Sequence, residues 1–176
     1  SKIEHRDYRD LAKVTIFEEI DRKVIVDLAA AVAAQSVTPR EVTGIVRQRQ
    51  ESLWKSKYAK LYAAIRNASE LLAAINGLPS AIASADLGLE KYQSDWFRID
   101  QQYRWFTHAH QTADFQKPLE SIKAEVDKQY ANKYLYDFGG CWQQALEPMG
   151  KWKSAVLAPQ AEFFERLGDD HGEILV

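Results

Sequence analysis

Residues 38–77 read TPREVTGIVRQRQESLWKSKYAKLYAAIRNASELLAAING, and the spacing within them decides the fold class. Val42, Ile45, Val46, Leu53, Trp54, Tyr58, Leu61, Tyr62, Ile65, Leu72 and Ile75 recur mostly at three and four residues, which winds one apolar stripe along a helix. Thr38 can cap its start, Pro39 occupies the first turn where a missing N–H costs nothing, and Glu41 takes the third position of a capping box. Gly77 suits the C-terminal turn and Pro79 bars continuation. Roughly 37 helical residues would span roughly 55 Å, long enough for a kink or a short break.

The same stretch carries Arg40, Arg47, Arg49, Lys55, Lys57, Lys60 and Arg66 against Glu41, Glu51 and Glu70. A surface that tracks phosphates needs one continuous basic stripe. Projected at about 100° per residue, Arg47, Glu51 and Lys55 form one line and Lys57 and Lys60 another, while Arg49 falls on the apolar stripe between Val46 and Leu53. Arg49 is therefore expected to turn inward, with partners in the Asp95, Arg98 and Asp100 cluster of DWFRIDQQYRWF. Arg47, Lys55, Lys57 and Lys60 remain as candidates for an external contact, whether with protein or nucleic acid, or as a solvated face. Glu51 with Lys55, and Asp100 with Arg104, have the i,i+4 spacing of helix-surface pairs.

Outward from this segment the pattern stays helical. Leu11 and Val14 suggest a short element to about Thr15, and Ile20, Val24, Leu28 and Val32 a helix from about Phe17 to Ala34. GLPSAIASADLG reads as a connection with one helical turn over Ala81 to Ser84. Leu89, Tyr92, Trp96, Ile99, Tyr103, Phe106 and His110 form an aromatic face on the next helix. A further helix starts near Pro118 and runs through Ile122, Val126, Tyr130, Tyr134, Phe138, Trp142 and Leu146, with a break or kink expected at Gly139 and Gly140. A helical turn at Lys153 to Leu157, a short helix from Pro159 to Gly168 and the beginning of a strand at Ile174 to Val176 complete the reading. Sustained two-residue alternation is absent. The expectation is an all-α bundle of about four to six mostly antiparallel helices of unequal length, with a truncated C-terminal strand.

Composition limits the function classes. The net charge of −2 supplies no global field for nucleic acid or anionic membrane, so any basic function must be local. Cys141 is the only cysteine, which excludes a disulfide-stapled secreted scaffold and suits a reducing cytosol. VIVDLAAAVAA, residues 24–34, is too short to span a bilayer. The missing initiator methionine and the apolar terminal EILV make both ends look cut.

Catalytic and metal sites find little support. His108 and His110 lie two apart on a helix and point to different faces, so they chelate poorly. Cys141 has helix-like spacing and no nearby histidine, and FGGC lacks the lysine and hydroxyl of a nucleotide-binding loop. Asp169, Asp170 and His171 read as a solvated turn. No catalytic, cofactor or metal residue is assigned.

Four blocks in order carry a resemblance: RQRQESLWKSKYAKLYAAIRNASELL from Arg47, YQSDWFRIDQQYRWF from Tyr92, VDKQYANKYLYDFGGCWQQAL from Val126, and PQAEFF from Pro159. Together they resemble the helical region of PglZ proteins, the alkaline-phosphatase-like components of bacterial BREX phage-exclusion systems. The demanding part is Arg47 and Arg49 followed by Trp54, Tyr58 and Leu61-Tyr62, then Ile99-Asp100, Tyr103-Arg104 and Phe106, then Tyr130-Ala131-Asn132 and Tyr134-Leu135.

The resemblance implies a helical scaffold domain over residues 1–168, with 169–176 as linker and start of a following metal-dependent phosphatase-like domain. Any divalent metal would belong to that adjacent domain, and none is implied here. The implied role is a non-catalytic cytoplasmic module contacting that domain and other BREX proteins, with no membrane. DNA binding through the basic helix over 40–66 is the alternative. Arg49, Trp54, Tyr62, Trp96, Tyr103, Phe106, Tyr134 and Trp142 are the expected structural residues. Between PQAEFFERLG and EILV stand only Asp169 to Gly172, a shorter approach to the strand than the family's usual one.

Overall fold

The computed structural model describes residues 3–150, and among these every regular element is helical. The expected turn at Lys153, the helix from Pro159, the terminal strand and the boundary at residue 168 lie outside the described residues. The helices are α1 (Tyr8–Leu11), α2 (Glu18–Ala33), α3 (Pro39–Arg49), α4 (Lys55–Asn76), α5 (Ala85–Lys91), α6 (Phe97–Gln111), α7 (Glu120–Gln129) and α8 (Gly139–Leu146). A π-helical segment, Tyr92–Trp96, joins α5 to α6, and a longer one, Tyr130–Phe138, joins α7 to α8. The arrangement is a mostly antiparallel bundle of unequal helices. α4 lies at its centre, packed against α2, α3, α6 and α7.

Local chemistry places the elements. At the start of α3 the Thr38 N–H donates to Glu41 Oε2 at 2.9 Å while the Glu41 N–H donates to Thr38 Oγ1 at 3.3 Å, a reciprocal capping box. Val24 and Leu28 from α2, Ile65 and Leu71 from α4, Ile99 and Phe106 from α6, and Ile122 and Val126 from α7 fill the fully buried core. Asp7 and Ser84 cap α1 and α5 by accepting from the Arg9 and Leu87 N–H groups.

Several expectations are settled or corrected. The stretch over 38–77 takes the short break that its length allows, at residues 50–54, which turn to hydrogen-bond the loop after α1. The Leu53 N–H donates to the Thr15 carbonyl at 3.1 Å and the Trp54 indole to the Ile16 carbonyl at 3.1 Å. Leu53, assigned to the apolar stripe, is 77% exposed in that turn, and Glu51 no longer shares a helix with Lys55. Next, Ala81 to Ser84 form no helical turn; Ser84 is instead the cap of α5. Finally, the helical backbone runs through Gly139 and Gly140 without a break, the irregularity falling in the π segment before them. Tyr134 and Phe138 are buried there, and keeping both on the inner face holds the helix together where two glycines alone would let it bend.

Gly88 is required by packing. A Cβ on it would lie 2.8 Å from the Trp142 ring and 2.9 Å from Ile82 Cγ2, so α5 approaches α8 only without a side chain at this position.

Candidate functional site

The turn between α3 and α4, residues 50–54, lies between Arg49 and Lys55, two of the sequence-derived candidates, and contains a third, Trp54. Arg49 ends α3 with its guanidinium directed inward. Its Nε donates to Asp21 Oδ1 at 2.9 Å and its Nη2 to Asp21 Oδ2 at 2.6 Å, and Nη1 donates to the carbonyls of Ala12 at 3.1 Å and Val14 at 2.5 Å. Asp21 also accepts from the Ser52 hydroxyl at 2.8 Å and the Tyr62 hydroxyl at 2.7 Å. Burial opposes the charge on Arg49, but the bond and charge of Asp21 outweigh it and raise the guanidinium pKa. Burial, then the Asp21 charge, pushes the Tyr62 hydroxyl far up.

Asp21, on α2, is thus the partner of Arg49, in place of the Asp95–Asp100 cluster expected from the sequence. With both side chains sealed and paired, the node fixes the turn and offers no free charge to a ligand. Asp21 was not singled out in the sequence because it sits among Glu18, Glu19 and Arg22 at a helix start, where acids are ordinary. Its spacing from Val24 and Leu28 places it on the inner face, and that was the available signal.

Outside this node lies an apolar face. Ile16, Phe17, Leu53 and Phe115 are all large and exposed, and Trp54 is half-buried among them. Lys57 lies at its middle: its Nζ donates to Glu18 Oε1 at 2.6 Å and stands 5.8, 5.7 and 5.6 Å from the rings of Trp54, Tyr58 and Phe115. Lys57, then the Tyr58 hydroxyl, holds the Glu18 carboxyl down at about 2. Lys60 donates to the Thr112 carbonyl at 2.8 Å. Arg47 and Lys55 are exposed. The four external candidates therefore divide into two that already have partners within the chain and two that face solvent.

A second group forms where the two π segments meet. Asp100 accepts from Tyr130 at 2.7 Å, Tyr134 at 2.7 Å and Tyr92 at 3.1 Å, so its oxygens serve three tyrosines rather than the expected helix-surface pair with Arg104, which is exposed. Burial, then the bond to Asp100, raises the Tyr130 and Tyr134 hydroxyls. Tyr103 stacks on Tyr130 at 3.8 Å and donates to Asp127 at 3.3 Å. Trp96 meets Phe138 edge-on at 4.8 Å, Phe106 is fully buried, and Trp142 packs on Gly88. These side chains hold helices together and leave no open set of reactive groups.

Among the described residues no group of three or more His, Cys, Asp or Glu side chains could hold a metal ion. No described helix is long and apolar enough to cross a membrane. Over 125 residues, 68% of this chain, the sequence is 28% identical to the alkaline phosphatase-like protein PglZ of Bacillus cereus (strain H3081.97). The chain is a distant match to the PglZ family. The matched segment spans 14% of that PglZ protein's length. No family model matches the chain, and no solved structure matches it.

Proposed function

We propose that this chain is a non-catalytic helical scaffold and interaction module of a PglZ-like protein in bacterial BREX antiviral defence. The partial match to a much longer alkaline phosphatase-like protein carries this reading. Residues 1–168 form the module and 169–176 lead into the neighbouring domain. The module positions that phosphatase-like domain and contacts other BREX proteins, with the apolar face of Ile16, Phe17, Leu53 and Phe115 as contact surface. In this reading any divalent metal belongs to the neighbouring domain. In this reading the module works in the cytoplasm.

DNA binding along 40–66 draws less support, since Lys57 and Lys60 already bond Glu18 and Thr112. The deciding test is the genomic reading frame beyond Val176. A strand followed by an aspartate-bearing metal motif is expected, and a stop codon at that point overturns the reading. Salt-sensitive duplex binding, lost on reversing Lys55, Lys57 and Lys60, would favour the DNA alternative instead.

A further inference from the structure

On α2 and α7 the surface charges are paired within each helix. Arg22 pairs with Glu18 and Lys23 with Asp27 on α2, and on α7 Lys123 pairs with Asp127 and Lys128 with Glu125. The solvent side of α6 is different. That helix packs chiefly against α4, and its open side carries Arg98, Gln101, Trp105 and His108, with Arg104 at the edge. Arg98 and Trp105 are two turns apart and stand in one line, separated by about 10 Å along the axis. Gln101 and His108 form a second line beside it at the same step. Both arginines and His108 are exposed, and Trp105 is 50% exposed. Neither arginine has an ion-pair partner among the described residues. Asp100, the one acid of α6, is turned toward the π segments and is occupied by three tyrosines.

Charge complementarity calls for an anion on this face, and the open indole calls for a flat partner. The groups are spread over two helical turns, which suits an extended ligand and not a small one. An acidic peptide would satisfy the two arginines and leave the Trp105 ring uncovered. A duplex offers phosphates but keeps its base planes stacked inside, out of reach of a surface ring. A single strand presents both at once, phosphates for guanidinium forks and base planes for an aromatic ring. We infer that the open face of α6 binds single-stranded nucleic acid, with Trp105 stacking on a base and Arg98 and Arg104 holding adjoining phosphates. This face is separate from Lys55, Lys57 and Lys60 and does not depend on the scaffold reading.

The 176-residue chain is titrated with labelled oligothymidylate of about 12 nucleotides, and separately with oligouridylate of the same length, read by fluorescence anisotropy. A duplex of that length and poly-glutamate serve as competitors. Binding is expected at low salt and is expected to weaken as salt rises. Trp105→Ala is expected to weaken it about tenfold with the salt dependence unchanged, and Trp105→Phe, which keeps a ring and its packing, to recover most of the loss. Arg98→Gln with Arg104→Gln is expected to lower the slope of log affinity against log salt by about 1.4, the share of two phosphates on a single strand. Circular-dichroism spectra check that each variant is folded. Binding of either strand that responds in this way supports the proposal. No binding at low salt, an affinity indifferent to Trp105→Ala, or equal displacement by the duplex or by poly-glutamate overturns it. Each of these results leaves the reading frame test of the scaffold role untouched.

Discussion

Arg49 and Asp21, 28 residues apart in sequence, face each other through two parallel N–H···O bonds, and neither side chain reaches solvent. The pair joins the end of α3 to the first turn of α2. Arg49 further satisfies two carbonyls of the α1–α2 loop, so one side chain determines where three elements meet.

Removing one member of this pair leaves a buried charge alone. Arg49→Met is expected to cost about 3–5 kcal/mol, measured by urea unfolding. Arg49→Lys keeps the charge but not the planar fork, and is expected to recover less than half of the loss. A loss below about 1 kcal/mol for Arg49→Met, the range of a surface pair, would show that the node does not hold the turn.

Asp100 gives a second contrast. Asp100→Ala leaves the Tyr130 and Tyr134 hydroxyls without their acceptor and is expected to cost about 1.5–3 kcal/mol. Tyr92→Phe removes the long, exposed third bond, with an expected change within about 0.5 kcal/mol. Equal effects from the two variants in thermal unfolding would mean that Asp100 does not join the π segments.

Glycines in the same helical layer should respond with opposite signs. Gly88→Ala drives a methyl into Trp142 and Ile82, with an expected loss of about 1–3 kcal/mol. Gly139→Ala and Gly140→Ala meet nothing within 4 Å and lie in helix, so each should gain about 0.5–1 kcal/mol. Melting temperatures of the three single variants check both signs.

Acid should loosen the link between α2 and α4. The Glu18 carboxyl has a folded-state pKa of about 2, below its ordinary 4.5, because Lys57 and Tyr58 bond its charged form. Its contribution is full above about pH 4.5 and is lost as pH falls toward about 2. Unfolding midpoints measured between these limits should fall less steeply in Glu18→Gln than in the parent chain. Parallel slopes would show that Glu18 does not contribute to the acid response.

The start of α3 and the end of α4 were legible because they depend on neighbours in sequence: Thr38 with Glu41, and Gly77 before Pro79. The inward turn of Arg49 was legible from its place on the stripe. Its partner was not, since a contact across 28 residues leaves no local trace. A short break was allowed for by the helix length, but its position at 50–54 was hidden for the same reason: its hydrogen bonds end on Thr15 and Ile16, far back in the chain. The sequence pattern was misleading at Gly139-Gly140, where permissive residues follow a buried aromatic face that keeps the helix going. At the candidate contact face, charge counting identified lysines but could not see that Glu18 and the Thr112 carbonyl had already engaged two of them.

The π segments put a constraint on chain length. Each of their turns closes i to i+5 and so takes in one residue more than an α-helical turn. Tightening 130–138 to an α-helix with no residue lost would rotate everything beyond Phe138 by about 100°. Trp142 would then swing away from the gap that Gly88 leaves for it. During divergence, a single-residue deletion within 130–138 can be absorbed by closing a π turn, whereas the same deletion in the α-helical stretch on either side would turn everything after it, so residue number is freer to change in this segment than beside it.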